Sequence, residues 1–193
     1  SDSDIKMEIW LPTDGWNGKF LAVGNGAFTG SIRYSALANP LGRGYTSSST
    51  DTGHLGNTAR FGLDHPEKVV DFGWRAVHEM TVASKTIVAA YYGQGPRHSY
   101  WNGCSAGGRQ AMQEAQRFPE DYDGIIAGAP GNDWMGRAAG SLRVAKHLEA
   151  NEDARLSDEE VQLVHTAVLD ACDAADTDLL RCRTSTTLPC GVA

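Results

Sequence analysis

The sequence predicts an α/β fold for most of the chain, followed by a helical segment. Strand-like and helix-like segments alternate up to about Asn132, which is the pattern of an α/β domain. Beyond that point the strand patterns stop and two helical stretches follow. We therefore predict that residues 1–131 are the N-terminal part of an α/β core domain. Residues 132–193 are predicted to begin an inserted helical lid.

Five segments have strand patterns, either alternating apolar and polar residues or a short apolar run. They are residues 5–11, 19–23, 45–49, 98–101 and 122–127. The second of these runs directly into a glycine-rich loop, residues 24–30 (GNGAFTG). The sequence therefore predicts a buried strand followed by a tight loop.

Two helices are predicted in the core domain. The first begins near Asp64 and Pro66 and ends at Gly93, because proline suits a first helical turn and glycine ends helices. Its predicted inward stripe is Phe72, Ala76, Met80, Ala83, Ile87 and Ala90. The second covers residues 106–118, and its predicted inward residues are Met112, Ala115 and Phe118. In the lid, Ser157 and Glu160 have the spacing of a capping box.

Composition and charge exclude two classes of partner. Of the 193 residues, 41% are hydrophobic and 21% are charged, which is typical of a soluble globular protein. The net charge is −7 and no basic cluster is present, so we expect no nucleic-acid partner. No apolar run approaches the roughly 18 residues of a membrane span, so we expect no membrane partner.

The segment 103–107 (GCSAG) fits the pattern G-x-S-x-G of a nucleophile elbow. In such an elbow the serine lies on a sharp turn from a strand to a helix, and the flanking glycines make room for the turn. The motif also occurs by chance in chains rich in glycine and serine. Here a strand pattern precedes it and a helix pattern follows it, as the motif requires. Ser105 is therefore the predicted nucleophile of an α/β-hydrolase-type sheet with helices on both faces.

The elbow also predicts where an oxyanion would be stabilised. One donor is the N–H of Ala106, which follows the nucleophile, and the second comes from a loop after an earlier strand. The glycine-rich loop offers Gly26 or Ala27 for this role. A dinucleotide-binding turn is the alternative, but Thr29 stands where that motif needs its third glycine, and no helix pattern follows directly.

The acid and base of a catalytic triad are not found in the expected order. In this fold they follow the serine on later strands, and only one strand pattern, residues 122–127, lies downstream. The later histidines, His147 and His165, fall in helical sequence and are interpreted as surface or packing residues. Asp51 and His54 precede Ser105, so we expect them to have structural or pocket-lining roles. The sheet is thus predicted to be truncated on its C-terminal side.

Seven motifs together resemble those of the tannase and feruloyl esterase family, which includes the hydrolase of mono(2-hydroxyethyl) terephthalate. They occupy residues 11–12, 16–20, 24–28, 51–54, 101–110, 118–119 and 122–130. The resemblance implies a serine esterase that hydrolyses feruloyl, galloyl or terephthaloyl-type esters through an acyl-enzyme on Ser105, with no required cofactor. Its partner would be a small aromatic ester, and the oligomeric state stays open. The alternative is an incomplete fragment, or a divergent member, that binds aromatic ligands without turnover.

Four cysteines bear on the compartment. Cys172 and Cys182 close a short aspartate-rich loop, which suits a disulfide in an oxidising compartment, with reduced thiols as the alternative. The resemblance implies a secreted protein whose export signal lies outside this chain. It also implies that Cys104 matches a family cysteine bonded to one beside the catalytic histidine, so that here it is either free or paired differently. The partner of Cys190 stays open.

The same resemblance implies a calcium loop between Cys172 and Cys182. The carboxylates of Asp173, Asp176 and Asp178 are the candidate ligands. The loop is shorter than the family's and contains no glycine, whereas Ca²⁺ takes about 6–8 oxygen ligands. We therefore expect a weak structural calcium site there, and no metal that takes part in the reaction.

Overall fold

The computed structural model describes residues 2–172. They belong to two compact units, one running to Asn132 and the other beginning at Asp133. The two helices predicted in the core domain and the two helical stretches predicted after Asn132 are present, and each predicted strand region contains a strand. The first unit holds the sheet and the candidate active site.

Five strands form a single sheet in the first unit. They are β1 (Met7–Trp10), β2 (Lys19–Val23), β3 (Thr46–Thr50), β4 (His98–Cys104) and β5 (Gly124–Gly128). Their order across the sheet is β1-β3-β2-β4-β5. β1 runs antiparallel to β3, and the other neighbouring pairs are parallel. The ends of β2 and β4, where the candidate site residues follow, therefore lie at the same edge.

Helices cover both faces of this sheet. Helix α1 (Tyr34–Gly42) packs on the face of Ser47, whose hydroxyl donates to the carbonyl of Leu37. Successive strand side chains point to opposite faces. The register of β2 with β3 therefore places Phe20 and Ala22 on the other face. There they form the core with side chains from α3 (Ala76–Tyr92) and α4 (Ala106–Arg117).

The predicted long helix is continuous but not uniform. It consists of α2 (Pro66–Val70), a π-helical turn (Asp71–Arg75) and α3, and Gly93 ends it with a left-handed φ of 73°. The predicted start and end are confirmed, but two of the six predicted inward residues are wrong. Ile87 and Ala90 are exposed, whereas the buried residues of α3 are Ala76, Val77, Met80, Thr81, Ser84 and Val88.

Thr81 explains the shifted face of α3. Its hydroxyl donates to the carbonyl of Val77 and lies within hydrogen-bonding distance of the buried Tyr122 hydroxyl. A polar residue whose hydroxyl is hydrogen-bonded to other groups inside the protein can occupy a core position. A prediction based on apolar residues alone therefore assigns the wrong buried face to this helix.

The inward face of α4 also differs from the prediction. Met112 and Ala115 are exposed, while Gln110, Ala111 and Glu114 are buried. Phe118 follows the helix and is half-buried. Gly107 and Gly108 in the first turn of α4, and the hydrogen bonds between Gln110 and Asn25, bring this polar side of the helix against the sheet.

The second unit contains α5 (Trp134–Ala150) and α6 (Asp158–Cys172). The predicted capping box of α6 is confirmed: the N–H of Glu160 donates to Ser157 Oγ at 3.2 Å, and the N–H of Ser157 donates to the Glu160 carboxylate at 2.8 Å. None of the described helices is both long enough and apolar enough to span a membrane.

Candidate active site

Ser105 lies at the junction of β4 and α4, where the sequence predicts it. Its backbone has φ 60° and ψ −113°, a conformation that only glycine adopts without strain. Its N–H donates to the Gly128 carbonyl at 3.0 Å, and its carbonyl accepts from the Arg109 N–H at 3.0 Å. The side chain is exposed. Neighbouring backbone thus fixes the strained turn, and the hydroxyl is left facing outward.

Close backbone contacts explain the glycines around Ser105. A Cβ on Gly24 would lie 2.6 Å from the Cα of Gly107, and one on Gly107 would lie 3.1 Å from the Cα of Gly24. A Cβ on Gly108 would lie 2.8 Å from the Cα of Pro130, beyond the end of β5. The glycine-rich loop, the elbow and the end of β5 can approach one another this closely only because these positions lack side chains.

The glycine-rich loop is hydrogen-bonded to the first turn of α4. The N–H of Gly107 donates to the Asn25 carbonyl at 2.8 Å, and the N–H of Gly24 donates to the Asn102 carbonyl at 2.9 Å. Both predicted sources of oxyanion donors therefore lie at one edge of the sheet.

The predicted donor groups are available. Among residues 2–172, no acceptor bonds the N–H of Gly26, Ala27 or Ala106. The N–H of Ala106 belongs to the first turn of α4, where the helix dipole is positive. Ala27 is exposed and has a left-handed φ of 42°. The edge of the sheet next to Ser105 therefore carries backbone donors without partners.

No general base contacts Ser105 within the described part of the chain. No histidine or carboxylate between residues 2 and 172 hydrogen-bonds to its hydroxyl. His147 and His165 lie on exposed positions of α5 and α6. The nucleophile candidate is thus present with its donors, while the residue that would accept its proton is not among those described.

Asp51 and His54 have structural contacts. Asp51 accepts the backbone N–H groups of Lys6 at 3.0 Å and Gly53 at 2.8 Å. His54 Nε2 is 2.8 Å from the Phe28 carbonyl, and its Nδ1 is 3.2 Å from the Thr52 hydroxyl. Because a carbonyl only accepts, Nε2 donates to Phe28. Both ring nitrogens are therefore used in holding loops together.

A cluster of three titratable residues, His78, Glu114 and Asp121, lies between α3, α4 and the turn before β5, and no motif in the sequence predicts it. His78 Nδ1 is 2.7 Å from an Asp121 carboxylate oxygen, and Lys85 Nζ donates to the Asp121 carbonyl. Glu114 is fully buried beside them. Burial, and secondarily the nearby Asp121 charge, raises the pKa of Glu114 to about 8.

The three residues of this cluster are of types that bind metal ions. Possible ligand atoms of His78, Glu114 and Asp121 lie within 4.8 Å of one another. His78 and Asp121 are already joined directly, so a cation would have to replace their hydrogen bond. The Lys85 ammonium group beside Asp121 further disfavours a cation. The cluster is better described as a hydrogen-bonded His78–Asp121 pair beside the buried Glu114 carboxyl.

Several predicted residues cannot be placed. Cys182, Cys190, Asp173, Asp176 and Asp178 lie outside the described residues, and the side chain of Cys172 is not described either. The disulfide between Cys172 and Cys182 and the calcium site therefore remain predictions. Cys104 is not a free thiol, which excludes one of its two predicted states.

Comparison with known proteins decides the family. The model of the family described as tannase and feruloyl esterase matches residues 1–180. The chain belongs to this family. The predicted resemblance is therefore confirmed over nearly the whole length of the chain.

Three relatives illustrate the match to this tannase and feruloyl esterase family. An "uncharacterized esterase" of Xanthomonas campestris pv. campestris is 39% identical over 91% of this chain and 31% of its own length. The crystal structure of feruloyl esterase B from Aspergillus oryzae is 42% identical, with a TM-score of 0.65 over 67% of this chain and 26% of that one. An esterase structure from Aspergillus oryzae is 35% identical, with a TM-score of 0.82 over 90% of this chain and 34% of that one.

These matches confirm the predicted α/β-hydrolase-type sheet with helices on both faces. The chain spans about a third of the length of the relatives it matches. The activity and substrates of the whole protein are therefore proposals.

Proposed function

We propose that the protein is a serine esterase that hydrolyses esters of aromatic acids through an acyl-enzyme on Ser105. The observation that carries the proposal is the exposed Ser105 hydroxyl on a strained turn, beside backbone N–H groups without partners. Membership of the tannase and feruloyl esterase family supports the reaction class.

The proposed chemistry has two steps. The Ser105 Oγ attacks the ester carbonyl carbon, and its proton passes through a general base to the alcohol, which leaves as the ester C–O bond breaks. Water then attacks the acyl-enzyme, which releases the carboxylic acid and restores the hydroxyl. A serine hydroxyl needs a base to react at neutral pH. No histidine or carboxylate among residues 2–172 contacts the hydroxyl, so the proposal assigns this role to a residue outside that range.

Each step passes through a tetrahedral oxyanion. The N–H of Ala106 and that of Gly26 or Ala27 are the proposed donors. Fixed donors aimed at a developing charge contribute strongly in acyl transfer, and loss of one typically lowers kcat by about 10²–10³-fold.

Aromatic side chains next to the glycine-rich loop support an aromatic acyl group. Phe28 directly follows Ala27, and its ring lies 5.8 Å from that of Phe72. Phe72 in turn lies 5.1 Å from Phe61. All three rings are half-buried, so they offer a partly exposed apolar surface that begins at the residue after Ala27.

We also propose that the protein acts outside the cytoplasm. Cys104 is not a free thiol, which supports an oxidising compartment. The net charge of −7 is compatible with a neutral aromatic ester as substrate.

Hydrolysis of p-nitrophenyl esters tests the proposal. Release of p-nitrophenol from an aromatic-acid ester should exceed release from the acetate ester, and Ser105→Ala should remove it. Ser35→Ala, which changes an exposed serine on α1, is the matched control and should keep the full rate. A rate that survives Ser105→Ala would refute the assigned nucleophile.

A second candidate function is the binding of aromatic ligands without turnover. It is favoured by one observation, that no base contacts Ser105 among residues 2–172. In that case calorimetry would detect binding of ferulate or gallate esters by the 193-residue chain, while no acid would be released. Release that depends on Ser105 would reject this alternative.

A further inference from the structure

One buried side-chain pair joins the glycine-rich loop to α4. The backbone N–H of Asn25 donates to Gln110 Oε1 at 3.0 Å, and Gln110 Nε2 donates to Asn25 Oδ1 at 3.1 Å. Each residue is only 2% exposed. Burial of two amides is unfavourable unless their hydrogen bonds are made, and here the two residues satisfy each other.

The remaining polar groups of Asn25 are also engaged. Its Nδ2 donates to the carbonyls of Thr50 at 2.9 Å and Ser31 at 3.1 Å. Its carbonyl accepts the N–H of Gly107 at 2.8 Å. Asn25 is thus held by the end of β3, by α4 and by Ser31, which follows its own loop. Its backbone therefore has a single orientation.

This orientation determines where a proposed oxyanion donor points. The carbonyl of Asn25 and the N–H of Gly26 belong to one peptide group, and none of the described peptide bonds is cis. In a trans peptide the C=O and N–H point in opposite directions. Since Gly107 holds the carbonyl, the N–H of Gly26 is held on the opposite side. A flip of this peptide would break the bond to Gly107 and turn the donor away.

We propose that Gln110 is a positioning residue for the esterase reaction, which through Asn25 holds the Gly26 N–H in the orientation needed to stabilise the oxyanion. The inference rests on the proposed function. It assigns a role to a polar residue that lies on the buried face of α4 and does not touch the substrate.

The rate at which an aryl fluorophosphonate modifies Ser105 tests this role. Phosphonylation forms an Oγ–P bond, breaks the P–F bond, and releases fluoride and the hydroxyl proton; the phosphoryl oxygen needs the same donors as an ester oxyanion. Gln110→Met keeps the length of the side chain but leaves Asn25 unpaired. We expect the rate at saturating reagent to fall about 10–100-fold, somewhat less than removal of a donor. The half-saturating concentration should change by less than about twofold, because ground-state binding is kept.

Two further variants separate positioning from simple destabilisation. Thr81→Val removes a buried hydroxyl of α3 that is bonded to Val77 and Tyr122, and should lower stability without slowing phosphonylation. Gln110→Glu can make both bonds to Asn25 only while its carboxyl is protonated. Its rate should therefore approach that of the wild type at low pH and fall at higher pH, a fall that the wild type lacks.

Amide hydrogen exchange gives a readout that does not need a reactive serine. In Gln110→Met, the N–H groups of Asn25 and Gly107 should exchange at least about tenfold faster than in Thr81→Val, because their local structure opens more readily. Unchanged protection, or a phosphonylation rate within twofold of the wild type, would overturn the inference. A wild type whose Ser105 does not react at all would refute the proposed function instead, and the exchange experiment would still decide whether Gln110 orders the loop.

Discussion

The strain at Ser105 is the residue-scale feature that best separates it from an ordinary surface serine. A serine with φ 60° and ψ −113° carries a penalty of about 1–3 kcal/mol that the surrounding structure must offset. The offset comes from contacts on both sides of the turn, including the hydrogen bond to Gly128. A functional requirement for an outward hydroxyl gives a physical reason for keeping a serine at this position.

The strain predicts different stabilities for two substitutions. Ser105→Ala removes the hydroxyl and keeps the strain, whereas Ser105→Gly removes both. We expect Ser105→Gly to have a free energy of unfolding about 1 kcal/mol above that of Ser105→Ala, despite the flexibility of glycine in the unfolded chain. Urea unfolding measures the difference. An alanine variant as stable as the glycine variant would show that the turn is not strained.

The raised pKa of the Glu114 carboxyl predicts that the stability of the protein depends on pH. Its pKa is about 8 when folded and 4.5 ordinarily, so between these values the folded protein holds a proton that the unfolded chain has lost. The free energy of unfolding therefore falls as pH rises through this range. Glu114→Gln, which stays neutral, should match the wild type near pH 5. At pH 9 its Tm should be higher by about 4 °C or more, since 1 kcal/mol shifts the Tm by about 2–4 °C at this size. A Tm difference that stays constant from pH 5 to 9 would contradict this.

At the scale of elements, the contact between the glycine-rich loop and α4 is the main determinant of the site. Gly24 has no left-handed φ, so glycine is needed there for space rather than for backbone conformation. The same holds for Gly107, which faces it. Each position is specified by the other, although they are far apart in the sequence.

Gly24→Ala should therefore disturb both stability and the site. The added Cβ would meet the backbone of Gly107, which cannot move without displacing α4, so we expect a loss of about 1–3 kcal/mol in the free energy of unfolding. Gly95→Ala is the matched control, because nothing lies within 4 Å of its added Cβ. It should change stability by less than about 0.5 kcal/mol. Equal effects of the two substitutions would refute the close approach.

The elements also show which parts of the fold the sequence could predict. The bounds of β2 were predicted correctly, because a short apolar run followed by glycines has one simple interpretation. The buried faces of α3 and α4 were partly wrong because Thr81, Gln110 and Glu114 are polar yet buried. Gln110 is buried through a partner 85 positions away, and local periodicity carries no information about such a partner.

For the whole molecule, the two units differ in how firmly they are held. The first contains a core in which Phe20 and Trp101 are almost fully buried, whereas no residue of α5 is buried. Segments with few buried contacts open locally at low free energy. The predicted nucleophile and the predicted oxyanion donors lie in the better packed unit, whereas the predicted calcium ligands lie outside the described residues.

Limited digestion with trypsin should reveal this difference. We expect the first cuts in α5, after Arg137, Arg143 or Lys146, all of which are exposed. The resulting N-terminal fragment should resist further digestion, and mass spectrometry would identify its end. First cuts before Asn132 would show that the sheet unit is the less stable one.

The sequence does not identify the residue that would act as general base for Ser105. The motif at residues 103–107 predicts the position of the candidate nucleophile and of one candidate donor, because that pattern requires one local geometry. A general base has no such local pattern, since the fold can bring it to the serine from any distance along the sequence. Among residues 2–172 none contacts the Ser105 hydroxyl.

The most direct test of the central claim is to find where an aryl fluorophosphonate attaches. After reduction and tryptic digestion, the adduct should be on the peptide of residues 98–109, at Ser105 rather than at the buried Ser99. It should be absent from Ser105→Ala. Attachment at another residue, or an unmodified Ser105 after prolonged exposure at alkaline pH, would contradict its assignment as the nucleophile.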